Sequence, residues 1–507
     1  MKSIPISIGV DVGTSSLKAL AVAPDGTVVA SASVEYNFDS PQAGWAQTDP
    51  EIWWRATCEV LGRLTAHTLV RDKSIQALGL AGQMHGLVLV DAENQPVRPA
   101  LMWNDQRTAP QCARAEREIT ADQVWKWTGN RLLPGTTAPK WLWLKEHEPE
   151  SIRRTRRIML PKDYIRLRLT GTSHTDVADA SGTLFFDCQH RRWSREMCDA
   201  LSIDSSLLPE VFESSVASAK VHAAGAAATG LPEGTPIVAG AGDQAAQAVG
   251  TGIVREGQVA CTVGTSGVIF AATNHWRPTP GGVLHSFCHA IPDRWHLMGV
   301  TLSAGGSLRW WRDVMCADLV ATATARGIDP YELMLDEAQT APAGCEGVVF
   351  LPYLSGERAP HADPHARGAF LGMSNPTTRA HLTRAVIEGV TCSLREVLAV
   401  VRRSGVQTER IRLSGGGARS SFWRQMMTDA FGVQTATVDQ LDGAAYGAAL
   451  LAGVGSGIWP DVDAATAHIV EANHASVGAG AAVFQLVARR YAAGYSALAP
   501  WFESGAG

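Results

Sequence analysis

The tetrapeptide Val-Gly-Thr-Ser occurs at residues 12–15 and again at 263–266, and both times one apolar run enters it and another leaves it. The first copy lies in SIGVDVGTSSLKALAVAPDGTVVASASV, where Gly-Thr-Ser and then Pro24-Asp25-Gly26 interrupt runs of Val, Ile and Ala. The second lies in QVACTVGTSGVIFAAT. Short β-prone runs joined by turn residues predict strands connected by tight turns. A chain that repeats such a unit half its length later is expected to be internally duplicated.

A Gly-Thr-Ser turn presents backbone N–H groups unobstructed by a side chain, together with two hydroxyls, and this is the chemistry that cradles a polyphosphate. Gly13, Thr14 and Ser15, with Lys18 just beyond, and Gly264, Thr265 and Ser266 are therefore the candidate nucleotide-phosphate ligands. The copies differ two residues before the glycine, where the first has Asp11 and the second Thr262. One carboxylate suits a Mg²⁺ ion that keeps most of its waters, so Asp11 is the candidate metal-associated acid. Gly415, Gly416 and Gly417 follow an apolar strand in IRLSGGGARSSFWRQ and precede a helix, where glycines let a flat ring or a phosphate approach the backbone.

At 507 residues the chain exceeds what one hydrophobic core supports, so two domains are expected, 1–252 and 253–507, with a cleft between them as the default ligand site. Apolar content of 46% beside 18% charged residues, and a net charge of -5, argue against nucleic acid or an anionic membrane as the main partner. The nine cysteines contain no C-x-x-C pair and read as buried thiols of a reducing cytoplasm. The opening MKSIPISIGVD is interrupted too early to read as a signal peptide. AAYGAALLAGVGSGIW, from Ala444, is short of a membrane span and reads as a helix packed closely on a neighbour. His285, Cys288 and His289 lack a second ligand pair, which sets aside a metal site there.

Thr48-Asp49-Pro50-Glu51 has the capping residue, proline and acid that open a helix, and Ile52, Ala56, Val60 and Leu64 follow at helical spacing. Gln83, Met84 and His85 stand between glycines at the end of an apolar strand, and Trp103, Asn104, Asp105 and Arg107 end the next apolar segment. Polar residues bunched at strand ends mark a site in an α/β sheet, although His85 alone reads equally well as a satisfied core histidine. The stretch GLPEGTPIVAGAGDQAAQAVGTGIV predicts a strand, a glycine-rich turn and a helix that starts with Asp243 and Gln244. A long helix is expected from about Thr377 to Arg403, stopped by Gly405. The tail past Asp463 reads as a final helix and a disordered end.

No G-x-x-x-x-G-K-[ST] occurs, which excludes a P-loop. Gly240-Ala-Gly242-Asp-Gln-Ala245 fits the loose dinucleotide fingerprint, so an NAD-dependent dehydrogenase is the rival reading, but it leaves both Gly-Thr-Ser turns and the triple glycine unused. GTTAPKWLWLKEH, from Gly135, and GAFLGMSNPTTRAHLTRAVIE, from Gly368, resemble the two signatures of the FGGY family of sugar kinases, within the actin–hexokinase superfamily. The resemblance runs from the first strand to about Gly453. It implies an α/β fold of two actin-like, ribonuclease H-like domains with mixed sheets flanked by helices. In that fold the sugar is bound mainly by the first domain and the adenosine by the second, with the phosphates across the cleft.

AGQMHG at residues 81–86 and LMWNDQR at 101–107 resemble the forms these segments take in xylulose-phosphorylating members of the family. The resemblance implies ATP and Mg²⁺ as cofactors and D-xylulose as acceptor, with another ketose or a polyol as the alternative. Carried over, Asp243 matches the catalytic base, Asp11 the metal-associated acid and Met84 with His85 the sugar-contacting pair. Gln83, Trp103, Asn104, Asp105 and Gln244 complete the expected sugar site, and Gly416 with Gly417 the adenine strip. Gln244 departs from the family's commonest pattern, which has Asn after the catalytic acid. A filament-forming or chaperone-like nucleotide switch would keep the turns but has no use for an acid beside a polar pocket. A homodimer is compatible with the chain and required by nothing in it.

Overall fold

The structure, a computed structural model, describes residues 4–438 and 442–504. The expected disordered end falls partly on residues 505–507, which lie outside the described residues. The chain forms two compact units. The first comprises Met1–Val254, Ala272–His296 and Gln440–Ile469; the second comprises Arg255–Ala271, Leu297–Asp439 and Val470–Gly507. The first unit thus takes two segments from the second half of the sequence.

Its sheet runs in the order Ala217–Lys220, Pro236–Val238, Ser74–Gly82, Pro5–Val12, Ser16–Val22, Val28–Glu35. Pro5–Val12 pairs antiparallel with Ser16–Val22 and parallel with Ser74–Gly82, which makes it the central strand of a mixed sheet. Strand alternation decides what each face meets. Ile6, Ile8, Val10 and Val12 share a core with Leu78 and Leu80 and with Trp53, Val60 and Leu64 of the helix Pro50–Ala66. That helix starts as expected, with the Asp49 carboxylate accepting the Glu51 N–H at 3.0 Å.

The opposite face carries Gly9 and Asp11 on one strand and Ala77, Gly79 and Ala81 on the next. Against it lies the helix Gly443–Gly455, built from small residues. A Cβ on Gly9 would fall 1.9 Å from the Ala445 carbonyl oxygen, and one on Gly79 2.0 Å from that of Ala448. On its other side the same helix meets the helix Asp243–Gly250, where a Cβ on Gly250 would fall 1.9 Å from the Gly443 carbonyl oxygen. The absence of side chains lets these backbones touch, the close packing anticipated for the alanine-rich stretch. Asp11, two residues beyond Gly9, therefore belongs to the face that the starts of both helices approach.

The second unit repeats the pattern. Gln258–Val263 pairs antiparallel with Gly267–Thr273 and parallel with Arg410–Ser414, and Thr435–Val438 extends the parallel run. The long helix spans Arg379–Arg403 and ends before Gly405, whose φ of 89° is left-handed. The tail differs from the expectation of a helix alone. Glu471–Ala475 pairs antiparallel with Thr435–Val438 before the final helix Gly480–Ser504. This edge strand is largely polar and partly exposed, so it has none of the alternation that betrays a strand in sequence. All nine cysteines are free thiols, eight of them buried. Among the described residues no helix is long and apolar enough to cross a membrane.

Candidate active site

In the first unit the turn after Pro5–Val12 is closed by the Gly13 N–H donating to the Ser16 carbonyl at 3.0 Å. Tyr36 braces it from outside, its hydroxyl donating to the carbonyls of Gly13 at 2.8 Å and Ser16 at 3.0 Å. Asp11 Oδ1 is buried and has no hydrogen-bond partner among the described residues. Burial, and after it the charges of Asp243 and Asp442, push the Asp11 carboxyl up to about 7, while Lys18 opposes the shift. Lys18 itself pairs with Asp442 at 2.5 Å, both side chains one-third exposed. Asp11 thus has two further carboxylates and one lysine within electrostatic reach. An unsatisfied carboxylate oxygen in such a net-negative group is chemically suited to a hard divalent cation.

Asp243 begins its helix directly after Gly242, at a strand end paired with Gly82. Its Oδ1 accepts the Gln244 N–H at 2.8 Å. Burial pushes its carboxyl up to about 6, and the hydrogen bonds from Gln244 restrain the rise. Gly242 and Gly182 leave the room that Met84 and His85 use. A Cβ on Gly242 would meet Met84 Cγ at 2.8 Å, and one on Gly182 would meet His85 Nδ1 at 2.9 Å and Met84 Cε at 3.1 Å.

His85 is held in a left-handed conformation, φ 66°, that a β-substituted residue adopts only under constraint. The constraint is visible. Its carbonyl accepts from Lys140 Nζ at 2.7 Å and Thr137 Oγ1 at 3.1 Å, and its ring Nδ1 lies 2.7 Å from the Gly182 carbonyl. A carbonyl only accepts, so Nδ1 carries a proton.

Gln83 Nε2 donates to the Gly13 carbonyl at 3.0 Å, and Trp103 Nε1 donates to Thr14 Oγ1 at 2.9 Å. The two sugar-site segments are thereby tied to the first phosphate turn. Gln83 Oε1 and Asn104 Oδ1 are buried without a partner among the described residues, as expected of groups awaiting a ligand. Asp105 corrects the sequence expectation. Its Oδ2 accepts the Ala46 N–H at 2.7 Å, and its Oδ1 accepts both the N–H and Nε of Arg107 at 3.0 Å. Both oxygens are spent within the loop, and the Arg107 guanidinium stacks 3.6 Å from the centre of the Trp45 ring.

In the second unit the Gly264 N–H donates to the Ser266 carbonyl at 3.0 Å, closing the turn one residue earlier than in the first copy. Thr262, where the first turn has its acid, has its hydroxyl 2.8 Å from Ser414 Oγ. The N-terminus of the helix Gly305–Met315 packs on this turn, with the Gly305 N–H donating to the Gly264 carbonyl at 2.8 Å. Gly415 has φ 82°, and a Cβ there would fall 2.5 Å from the Val263 carbonyl oxygen, so glycine is required. A Cβ on Gly416 would point into open space.

The family model described as the FGGY family of carbohydrate kinases, N-terminal domain, matches residues 6–250, and its C-terminal counterpart matches 259–456. The chain belongs to the FGGY family of carbohydrate kinases. Its relatives include the xylulose kinase of Escherichia coli strain K12, 41% identical over 427 residues, which are 84% of this chain and 85% of that protein. A xyloylose kinase from Brucella ovis superposes with a TM-score of 0.90 at 35% identity, over 98% of this chain and 100% of that one. The ligand-bound xylulose kinase of Lactobacillus acidophilus gives 0.92 at 27% identity, over 99% and 100%. Mixed sheets flanked by helices, in two units, are thus the FGGY kinase fold.

Sequence reasoning missed four members of this FGGY site. Asp442 and Tyr36 lie far in sequence from the turns they serve, and no local pattern links them. Lys140 sits in the first signature as the lone cation of an apolar stretch, a signal that was present. Asp179, three residues after Asp176, was not singled out.

Proposed function

We propose that this FGGY kinase transfers the γ-phosphoryl group of ATP to D-xylulose, giving D-xylulose 5-phosphate and ADP. The observation that carries the reading is the neighbourhood of Asp243: a carboxylate at a strand-to-helix turn, beside Met84, with His85 held by its ring and its backbone. The xylulose kinases among the relatives support the choice of sugar. Gln83, Asn104 and His85 offer a donor and acceptors for the hydroxyls of an open-chain sugar, Met84 and Trp103 cover its carbon face, and Gln244 lies beside the base.

Phosphoryl transfer asks the protein chiefly for alignment and charge neutralisation. Asp243 orients the acceptor hydroxyl and takes its proton as the bond to phosphorus forms. Gly13, Thr14, Ser15 and Lys18 supply N–H groups, hydroxyls and one ammonium for the phosphates, and Gly264, Thr265 and Ser266 offer the same N–H and hydroxyl chemistry in the second unit. Gly415, Gly416 and Gly417 leave space for the adenine. Asp11 is the residue that would hold Mg²⁺, whose chemistry is to neutralise phosphate charge. ADP release coupled to a reporter, measured over pentuloses, hexuloses, gluconate and glycerol, tests the reading. D-xylulose is expected to give the highest kcat/KM. A higher value for any other acceptor overturns the sugar assignment, and nucleotide-dependent phosphorylation of none of them overturns the site.

A further inference from the structure

Behind Gly242 lies a cluster of charges that the chemistry above does not use. Lys162, Asp163 and Arg166 come from the helix Pro161–Thr170, Asp176 from the end of the strand His174–Asp176, and Asp179 from the short helix Val177–Ser181. None of the five is exposed. Lys162 Nζ stands 2.6 Å from Asp163, 2.8 Å from Asp176 and 3.4 Å from Asp179. Arg166 lies 3.8 Å from Asp163 and donates to the Val238 and Ala239 carbonyls.

The donors are shared unequally among the three acids. Asp176 Oδ2 accepts the N–H groups of Ala178 and Asp179 and the Ser214 hydroxyl. Asp163 has the closest approach to the ammonium and the guanidinium beside it. Neither oxygen of Asp179 has a hydrogen-bond partner among the described residues. Its Oδ1 lies 3.1 Å from where a Cβ on Gly242 would stand, next to Met84, and the following residue is Asp243. Two buried cations balance two carboxylates. A third, lacking donors and close to another acid, carries a desolvation cost that a proton removes.

We propose that Asp179 is a positioning residue that carries a proton in the resting enzyme, keeping the protein behind Gly242 neutral so that Asp243 can hold its charge. Burial pushes the Asp179 carboxyl well above its usual range, Lys162 opposes this, and Asp176, Asp163 and Asp243 reinforce it. The strands His285–Cys288 and Glu210–Phe212 also pack on its helix. They bring His285, Cys288 and Glu210, the last largely exposed and 3.8 Å from His174. The part concerning Asp243 rests on its reading as the base; the protonation of Asp179 does not.

Infrared difference spectroscopy of the full-length protein, wild type against Asp179→Asn, tests this at neutral pH. The expected result is a carbonyl stretch of a protonated carboxylic acid present in the wild type and missing in the variant. The carboxamide copies a neutral acid, so the acid limb of the kcat/KM profile is expected to stay in place. An ionised Asp179 would give no such band, and its removal would lower that limb by about a pH unit. Either result overturns the proposal. Should Asp179→Asn not fold, the Asp11→Asn protein with ¹³C-labelled aspartate at about pH 7.5 decides, because Asp11 is removed and ordinary aspartates and Asp243 are largely ionised there. A persisting labelled acid band supports the proposal and its absence overturns it. Normal turnover by Asp243→Asn would remove the base and leave the band untouched, so the two failures are distinguishable.

Discussion

The ammonium of Lys140 stands 2.7 Å from the carbonyl oxygen of His85, and with the Thr137 hydroxyl it holds that residue in its left-handed conformation. Lys140 is wholly buried and also donates to the Gly135 carbonyl at 2.8 Å. A residue of the first signature thus acts on His85 through its backbone.

Lys140→Met should release the carbonyl and let His85 relax. The expected loss in kcat/KM for the sugar is about ten-fold or more, carried mainly by KM, with KM for ATP nearly unchanged. Equal losses for both substrates would assign Lys140 to general stability instead.

Burial brings the Lys140 ammonium down to about 7, the nearby Asp105 opposing the shift. Between that value and the ordinary lysine range the unfolded chain binds the extra proton, so stability rises with pH across this window. Wild type measured against Lys140→Met should therefore gain stability from neutral pH upward, by at most about 1.4 kcal/mol per pH unit. Denaturant melts at several pH values check this, and a gap that narrows as pH rises would contradict it.

Asp243 must be ionised to accept a proton. Since its carboxyl titrates at about 6, kcat/KM should climb through that region and level off above it. Asp243→Asn should lower kcat at least about 10²-fold while nucleotide affinity holds. A variant with near-normal turnover would remove Asp243 from the reaction.

Asp11→Ala should raise the Mg²⁺ concentration needed for half-maximal rate and cut turnover, whereas Thr262→Val should mainly affect packing, including its contact with Ser414. Mg²⁺ titrations of both variants compare the two turns directly. Equal shifts would mean that the acid does not distinguish them.

Gly79→Ala should be poorly tolerated, because the new methyl group would fall 2.0 Å from a backbone oxygen that has no rotamer to escape into. A loss of about 1–3 kcal/mol or more is expected from thermal or denaturant unfolding. Gly416→Ala, with open space around its Cβ, should cost far less stability.

The sequence was legible where function depends on local chemistry. Both Gly-Thr-Ser turns, the start of the Asp243 helix and the glycines at 415–417 announce themselves through residue type and spacing. The pairing of Lys18 with Asp442 and the bracing of the first turn by Tyr36 depend on which strands become neighbours, and single-sequence patterns carry little of that. Asp105 was misjudged for a different reason. An acid two residues from an arginine at a strand end reads as a polar site, and only burial reveals that the two are occupied with each other. The edge strand Glu471–Ala475 escaped because its partner supplies the order that its own composition lacks.

The helix that begins after Asp442 rests on the sheet through bare peptide groups at Gly9 and Gly79. A contact of that kind has no χ angles, so the rotamer hopping that softens ordinary cores cannot loosen it. The distance from the Asp442 backbone to the paired strands bearing Asp11 and Lys18 is consequently fixed by covalent geometry and carbonyl radii. Glycine and alanine, weak contributors to hydrophobic burial, work here as a hard mechanical stop that keeps opposing charges in register while the side chains around them fluctuate.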